Sequence, residues 1–373
     1  MPVQNNRILV LSNSWIGLHS FRKEVFQAFR ENGYNVYISS PLDESVQEKA
    51  AWFKSIGCKI IDTKFNRIGM NPLADFKLLQ NYRNLVKKIR PIAILTYTIK
   101  PNIYGGMVAA ICGIPQFANI TGLGDAVENP GLLRTLTVSL YKLGLRKCKT
   151  VFFQNEANRN ICVESGIVKQ EITHLIPGSG VNTQHHTYQE YPEDGIIKFL
   201  YIGRMKKDKG IHEYLHTAAV IKSKYPNTEF QIVGPKEDNL DEQLDRLINS
   251  GIINYFGHQA DVRPFIGAVH CTIMPSYHEG MSNVNLESSA NGRPVITTNV
   301  PGCKETVDDG VTGFLVNSKD AQDLADKVEQ FILLPYEQKK AMGLAARRKV
   351  EKEFDRQIVV DAYLEAVEDG IRK

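Results

Sequence analysis

Two carboxylates with seven residues between them, Glu279 and Glu287, stand in the run Met274-Pro-Ser-Tyr-His-Glu-Gly-Met-Ser-Asn-Val-Asn-Leu-Glu287. A strand is expected to end near Met274. Ser282 suits the N-cap of a helix running to about Asn291, with Gly292 as its stop and Pro294 opening the next strand. The backbone N–H groups of Met281, Ser282, Asn283 and Val284 would then point out of a helix start, where the helix dipole favours an anion. Gly280 lets a ligand approach the backbone closely. A carboxylate just upstream is costly to bury without a partner, so Glu279 is expected to meet sugar hydroxyls. Glu287, which can accept on two oxygens, suits both hydroxyls of a ribose.

A second loop supplies cations. In Tyr201-Ile-Gly-Arg-Met-Lys-Lys-Asp-Lys-Gly210, Arg204 and Lys209 could flank a diphosphate and neutralise the charge that builds on it as a leaving group. Lys206 and Lys207 read as solvated. Near the N-terminus, Gly17 permits close approach to a phosphate or sugar, and His19 and Arg22 begin the following helix, with His19 equally readable as a surface residue. Lys100 closes another strand, and Pro101 biases it toward extended backbone. Gly122 and Gly124, with Asp125 beside them, fail as a dinucleotide fingerprint because Val127 holds the third glycine position. The chain has no Walker loop, His-Glu-x-x-His or Gly-x-Ser-x-Gly elbow, which disfavours kinase, zinc protease and hydrolase readings. It also lacks Asp-x-Asp, which favours chemistry without a metal.

The elements that must position these residues alternate. Strand-like runs at Ile8–Leu11, Val36–Ser40, Ile92–Tyr97, Gln116–Ile120 and Val151–Gln154 are separated by helical stretches, and the pattern restarts at Lys198–Ile202, Glu229–Val233, Ile253–Phe256, Cys271–Met274 and Val295–Thr298. This predicts an α/β chain of two doubly wound, Rossmann-like parallel-sheet domains facing a central cleft, with ligands in the strand-to-helix loops. The expected domains are residues 1–185 and 195–355, joined by a polar linker near 183–195. A terminal helix over 356–373 is expected to pack back on the first domain. The 373 residues fit two such domains.

Composition is near the globular average, at 43% hydrophobic and 23% charged. The net charge of +4 is uneven: residues 1–190 hold 22 Lys and Arg against 13 Asp and Glu, the remainder 23 against 28. A basic half suits phosphates or an anionic membrane surface. Leu132 to Lys149 mixes Leu132, Leu133, Leu136, Leu140 and Leu143 with Arg134, Lys142, Arg146, Lys147 and Lys149, and reads either as membrane-surface helix or as core-facing helix with solvated lysines. No run is long and apolar enough to span a bilayer, and the N-terminus enters a strand with no room for a signal peptide, so a cytoplasmic location is expected. The six scattered cysteines read as buried thiols. Nucleic acid is not an expected partner.

Glu279 to Glu287 resembles the E-x(7)-E signature of family 4 retaining glycosyltransferases of GT-B fold, and Gly203-Arg-Met-Lys-Lys-Asp-Lys-Gly210 is similar to their diphosphate-binding loop. Further likeness lies in Ser179–Asn182, Gly257–Val262 and Asn299–Val316, so that the resemblance covers nearly the whole chain. Ser139–Leu143 and Phe152–Asn158 look like bacterial enzymes that extend lipid-linked oligosaccharides. The resemblance implies that a UDP-sugar is the donor substrate, that no cofactor or metal is needed, and that Arg204 and Lys209 bind the diphosphate. It further implies that Glu279 with the amides of Gly280, Met281, Ser282 and Asn283 holds the sugar, that Glu287 takes the ribose, and that His258 lies near the base. Gly17, Gly203 and Gly234 join this nucleotide-sugar set, with Glu279, Arg204 and Lys209 as its catalytic members. A histidine that many members place after the fourth strand is not evident in Thr98-Ile99-Lys100, which leaves His19, Arg22 and Lys100 as acceptor-side candidates. The expected activity is transfer of a hexose or N-acetylhexosamine to a polyprenyl-diphosphate-linked saccharide, at the inner face of the cytoplasmic membrane. Rival readings are a sugar-nucleotide epimerase and a non-catalytic sugar-nucleotide-binding protein.

Overall fold

The computed structural model describes residues 5–66, 69, 71–123, 131–237 and 241–372. Gly124, Asp125 and Val127 lie outside the described residues. The chain forms two compact units, Met1–Ser179 with Gln357–Lys373, and Gly180–Arg356.

In the first unit, strands β1 (Arg7–Leu11), β2 (Asn35–Ser40), β3 (Lys59–Asp62), β4 (Ala93–Tyr97), β5 (Gln116–Ile120), β6 (Thr150–Phe153) and β7 (Thr173–Leu175) alternate with helices. These are α1 (Trp15–Glu31), α2 (Gln47–Ser55), α3 (Pro72–Ile89), α4 (Gly106–Cys112), α5 (Leu132–Leu145) and α6 (Glu156–Glu164). The strands pair in parallel in the order β3-β2-β1-β4-β5-β6-β7. A parallel sheet needs helices on both faces, and the side-chain alternation shows it. Ile8 and Val10 enter one core with α1 and α2, whereas Leu9 and Leu11 enter another with α3 and α4.

The second unit repeats the plan. Strands β8 (Ile197–Ile202), β9 (Thr228–Val233), β10 (Ile253–Tyr255), β11 (Cys271–Met274), β12 (Val295–Thr298) and β13 (Gly313–Val316) form a parallel sheet in the order β10-β9-β8-β11-β12-β13. Helices α7 (Ile211–Lys224), α8 (Asp241–Asn249), α9 (Arg263–Gly267), α10 (Asn283–Ala290), α11 (Ala321–Leu333) and α12 (Tyr336–Glu353) surround it. In each sheet the strand order reverses direction once, between β1 and β4 and between β8 and β11. Loops leaving such strands diverge to opposite faces, and the crevice they open is where doubly wound sheets bind ligands.

Segment 183–195, expected as a linker, lies within the second unit as a strap. The buried Arg293 guanidinium donates to the carbonyls of Gln189 and Glu190 at 2.8 Å each, and the Tyr191 hydroxyl donates to the His270 carbonyl at 2.9 Å. The chain changes unit at 179–180 and again at 356–357. There Val181 bridges Asp355, and the Arg356 guanidinium donates twice to the Gly180 carbonyl.

The last helix, α13 (Arg356–Arg372), contributes Val359, Tyr363 and Val367 to the core of the first unit. The Tyr363 ring stacks on Phe152 with centroids 4.3 Å apart, and its hydroxyl accepts from the Asn119 amide. Tyr363→Ala should therefore lower unfolding stability by about 3–5 kcal/mol in urea titration, while Tyr363→Phe, which keeps the stacking, should cost about 1 kcal/mol.

Candidate functional site

The second unit assembles its polar groups at the carboxyl ends of β8 and β11, the point where its strand order reverses. Three glycines let the loops meet. A side chain on Gly234 would collide with the Gly203 carbonyl, and one on Gly210 with the Pro275 carbonyl. One on Gly302 would collide with the Glu279 carbonyl. Each of Gly210 and Gly302 also has a positive φ that other residues rarely adopt. Tyr201 reaches out of β8 to donate its hydroxyl to the Arg204 carbonyl at 3.0 Å, which fixes the first loop to its own strand.

On this scaffold Lys209 Nζ donates to Glu279 Oε1 at 2.6 Å, both side chains being largely buried. The cation expected for a diphosphate and the carboxylate expected for a sugar are thus charge partners. Arg204, 52% exposed at its side chain, forms a two-pronged pair with Glu237 at 3.2 and 3.3 Å. Glu237 was not singled out in the sequence; its place three residues past Gly234, at the end of β9, was the available signal.

Helix α10 starts as expected: the Ser282 side chain caps the Asn285 N–H, and the helix closes at Asn291 with Gly292 at φ +78°. One of the amides assigned to the donor is engaged, since the Ser282 N–H donates to the Gly302 carbonyl at 2.7 Å. Gly302 in turn donates to Glu305 at 2.7 Å, so residues 302–305 hold the loop before the helix from behind. Met281 is buried beneath this loop. His258 is exposed just after Gly257, whose carbonyl accepts from the Gly234 N–H at 2.8 Å. These residues, from β8, β9, β10 and β11, thus share one edge of one sheet. Among the described residues no group of His, Cys, Asp and Glu is arranged to hold a metal ion.

The acceptor-side candidates belong to the first unit and meet different fates. The Gly17 N–H is taken by the Ser14 cap at 3.0 Å, and a Cβ at Gly17 would lie 3.3 Å from that oxygen. His19 packs edge-on against Trp52 at 5.4 Å, and burial together with Lys23 and Lys49 lowers its pKa. Lys100 is buried in an ion pair with Asp75 at 2.8 Å. Arg22 is buried in the core. Asp75, on the first turn of α3, carried no motif that could have announced it.

Glu287 sits on the second turn of α10, and burial pushes its pKa up to about 7 against a pull downward from Arg356. Between the ordinary glutamate value of 4.5 and about 7 the folded protein holds a proton that the unfolded chain releases, so stability falls as pH rises through this window and is level above it. Ribose hydroxyls that donate to the carboxylate require its ionised form. On the expectation that Glu287 takes the ribose, affinity for a UDP-sugar, measured by calorimetry, should rise about tenfold per pH unit up to about pH 7 and then flatten. Glu287→Gln should bind weakly with no such slope.

A family model described as "Glycosyl transferases group 1" matches residues 187–349, and one described as "Glycosyl transferase 4-like" matches residues 7–155. The chain is 26% identical to the N,N'-diacetylbacillosaminyl-diphospho-undecaprenol alpha-1,3-N-acetylgalactosaminyltransferase of Campylobacter jejuni, over 98% of this chain and 99% of that one. It is 29% identical to the capsular polysaccharide biosynthesis glycosyltransferase CapM of Staphylococcus aureus, over 77% and 79%. Among solved structures, a glycosyltransferase from Rickettsia africae superposes with a TM-score of 0.82 at 19% identity, over 99% of this chain and 100% of that one. Anabaena Alr3699/HepE in complex with UDP and glucose superposes at 0.79 and 16%, over 97% and 99%. With one match on each sheet and the fold agreeing throughout, the chain belongs to the GT-B glycosyltransferases of the group 1 and family 4-like type.

Proposed function

We propose that this glycosyltransferase is a retaining, metal-independent enzyme that transfers a hexose or N-acetylhexosamine from a UDP-sugar to a polyprenyl-diphosphate-linked saccharide in surface polysaccharide or glycan assembly. The observation that carries the reading is the Lys209–Glu279 pair beside the start of α10, with Arg204 on the loop after β8 and Glu287 on the second turn of α10. Two cations, a helix start and two carboxylates match, in order, a diphosphate, its sugar and its ribose. The C. jejuni relative, whose name specifies a diphospho-undecaprenol acceptor and an alpha linkage, supports the acceptor class and the stereochemistry.

In this reading the acceptor hydroxyl attacks the anomeric carbon from the face the diphosphate leaves, and a phosphate oxygen takes its proton. The C1–O bond to the diphosphate breaks as the new glycosidic bond forms. Lys209 and Arg204 stabilise charge on the departing diphosphate, and Glu279, released from Lys209, orients the sugar through its hydroxyls. No protein nucleophile is required.

Purified protein given a panel of UDP- and GDP-sugars with a polyprenyl-diphosphate saccharide should release UDP from one donor, with or without EDTA. Lys209→Ala and Glu279→Ala should each lower turnover about 10²–10³-fold while still unfolding cooperatively. Variants that melt early yet stay active would contradict the assignment, and loss of turnover with EDTA would contradict metal independence.

The same reading places the enzyme on the anionic inner face of the cytoplasmic membrane. Helix α5 buries Thr137, Tyr141, Gly144 and Leu145, and leaves Leu132 91% exposed with Leu133, Leu136 and Leu143 also exposed. Lys142, Arg146 and Lys147 accompany them. Such a mixture suits partial insertion among anionic headgroups. The protein should co-sediment with vesicles containing anionic lipid at low salt, and a Leu132→Asp/Leu136→Asp variant should not. Equal recovery of both proteins in the supernatant would remove the membrane claim.

A further inference from the structure

Helix α5 divides its surface into three lanes. At the helical repeat, Thr137, Tyr141 and Leu145 form the buried lane, and Leu132, Leu136 and Leu143 form an exposed apolar one. The third lane carries Thr135, Val138, Ser139 and Lys142. With Arg134, and with Ile161 and Glu164 from α6, it lines an open groove of about 480 Å³. That volume is within the range of small-ligand sites.

The groove holds both signs of charge. The Lys142 ammonium reaches over the turn that follows α6, since a side chain on Gly166 would meet Nζ at 3.5 Å. Glu164 stands two residues before that glycine, so cation and carboxylate belong to the same end of the groove. Both are exposed, yet they form no ion pair with each other, and neither has a hydrogen bond or salt bridge to any described residue. The hydroxyls of Thr135 and Ser139 spend their protons on the Gly131 and Thr135 carbonyls, at 3.3 and 2.8 Å. Toward a ligand they offer only lone pairs.

This inventory selects among headgroups. An ionised phosphodiester has no hydrogen to donate, so it answers Lys142 and leaves Glu164 and the two hydroxyl oxygens unmet. Choline adds a positive charge without an N–H. A primary ammonium brings both the charge that complements Glu164 and donors for the hydroxyl oxygens. The leucine lane runs alongside, and its insertion among acyl chains would bring the groove to the depth of the headgroups.

We propose that the groove between α5 and α6 is a headgroup site for a phosphoethanolamine lipid, with Lys142 and Arg134 on the phosphate and Glu164, Thr135 and Ser139 around the ammonium. The proposal rests on the reading that α5 contacts a membrane, and goes beyond it by naming the lipid that is selected and the residues that select it.

The test sediments the full chain at low salt with two kinds of vesicle of equal phosphatidylglycerol content. The remaining lipid is phosphatidylethanolamine in one and phosphatidylcholine in the other. Wild type should bind the ethanolamine vesicles about fivefold more tightly. Glu164→Gln, an exposed change of nearly equal shape, should bind the two kinds equally, which separates headgroup recognition from the looser packing of ethanolamine bilayers. Lys142→Gln should lose the preference as well and bind both more weakly. Equal binding of wild type to the two vesicles, or a preference that survives in Glu164→Gln, would overturn the proposal. Wild type that stays in the supernatant with both would instead remove the membrane contact on which the proposal rests.

Discussion

The ion pair between Lys209 and Glu279 is the contact around which the second unit is organised. A carboxylate and an ammonium 2.6 Å apart, both largely removed from water, are tolerable only as a pair, because either one alone would keep most of its desolvation cost. Holding them together demands that the loops after β8 and β11 approach backbone to backbone. Gly210 is what that approach requires, since a methyl group there would sit 2.0 Å from the Pro275 carbonyl, while Gly234 and Gly302 allow the loops after β9 and β12 to close in beside them. The pair thus links the sequence of the loops to their shape, and the shape to the placing of α10.

Under the proposed function, phosphate oxygens would take the place of Glu279 beside Lys209, and the released carboxylate would accept from sugar hydroxyls. Arg204 and Glu237 repeat the arrangement nearer to solvent, where water screens the pair and its contribution to stability is small. Glu287 differs: desolvation raises its pKa to about 7, and the Arg356 charge offsets that only in part.

Much of the fold was legible because buried parallel strands are written as β-branched runs. The ten strands read from sequence all exist, with edges shifted by a residue or two. Those not foreseen, β3, β7 and β13, span three or four residues each and all lie at an edge of their sheet, where half-exposed sequences such as Thr173-His-Leu175 lack a clear apolar pattern. The α10 N-cap and stop were legible because Ser282 and Gly292 have local conformational causes. Partnerships were not. That Glu279 meets Lys209, Arg204 meets Glu237 and Lys100 meets Asp75 depends on tertiary approach, as does the docking of 183–195 by the buried Arg293. Composition marked that segment as polar, which suited a linker and a strap alike.

In the proposed function Lys209, Glu279 and Glu287 divide one UDP-sugar among them. A crystal structure of the complex with a non-hydrolysable UDP-sugar tests it most directly. Lys209 Nζ should lie within about 3 Å of a phosphate oxygen, with Glu279 accepting from a sugar hydroxyl and Glu287 accepting from the ribose. A donor bound with its diphosphate away from Lys209, and with the Lys209–Glu279 contact unchanged, would contradict it.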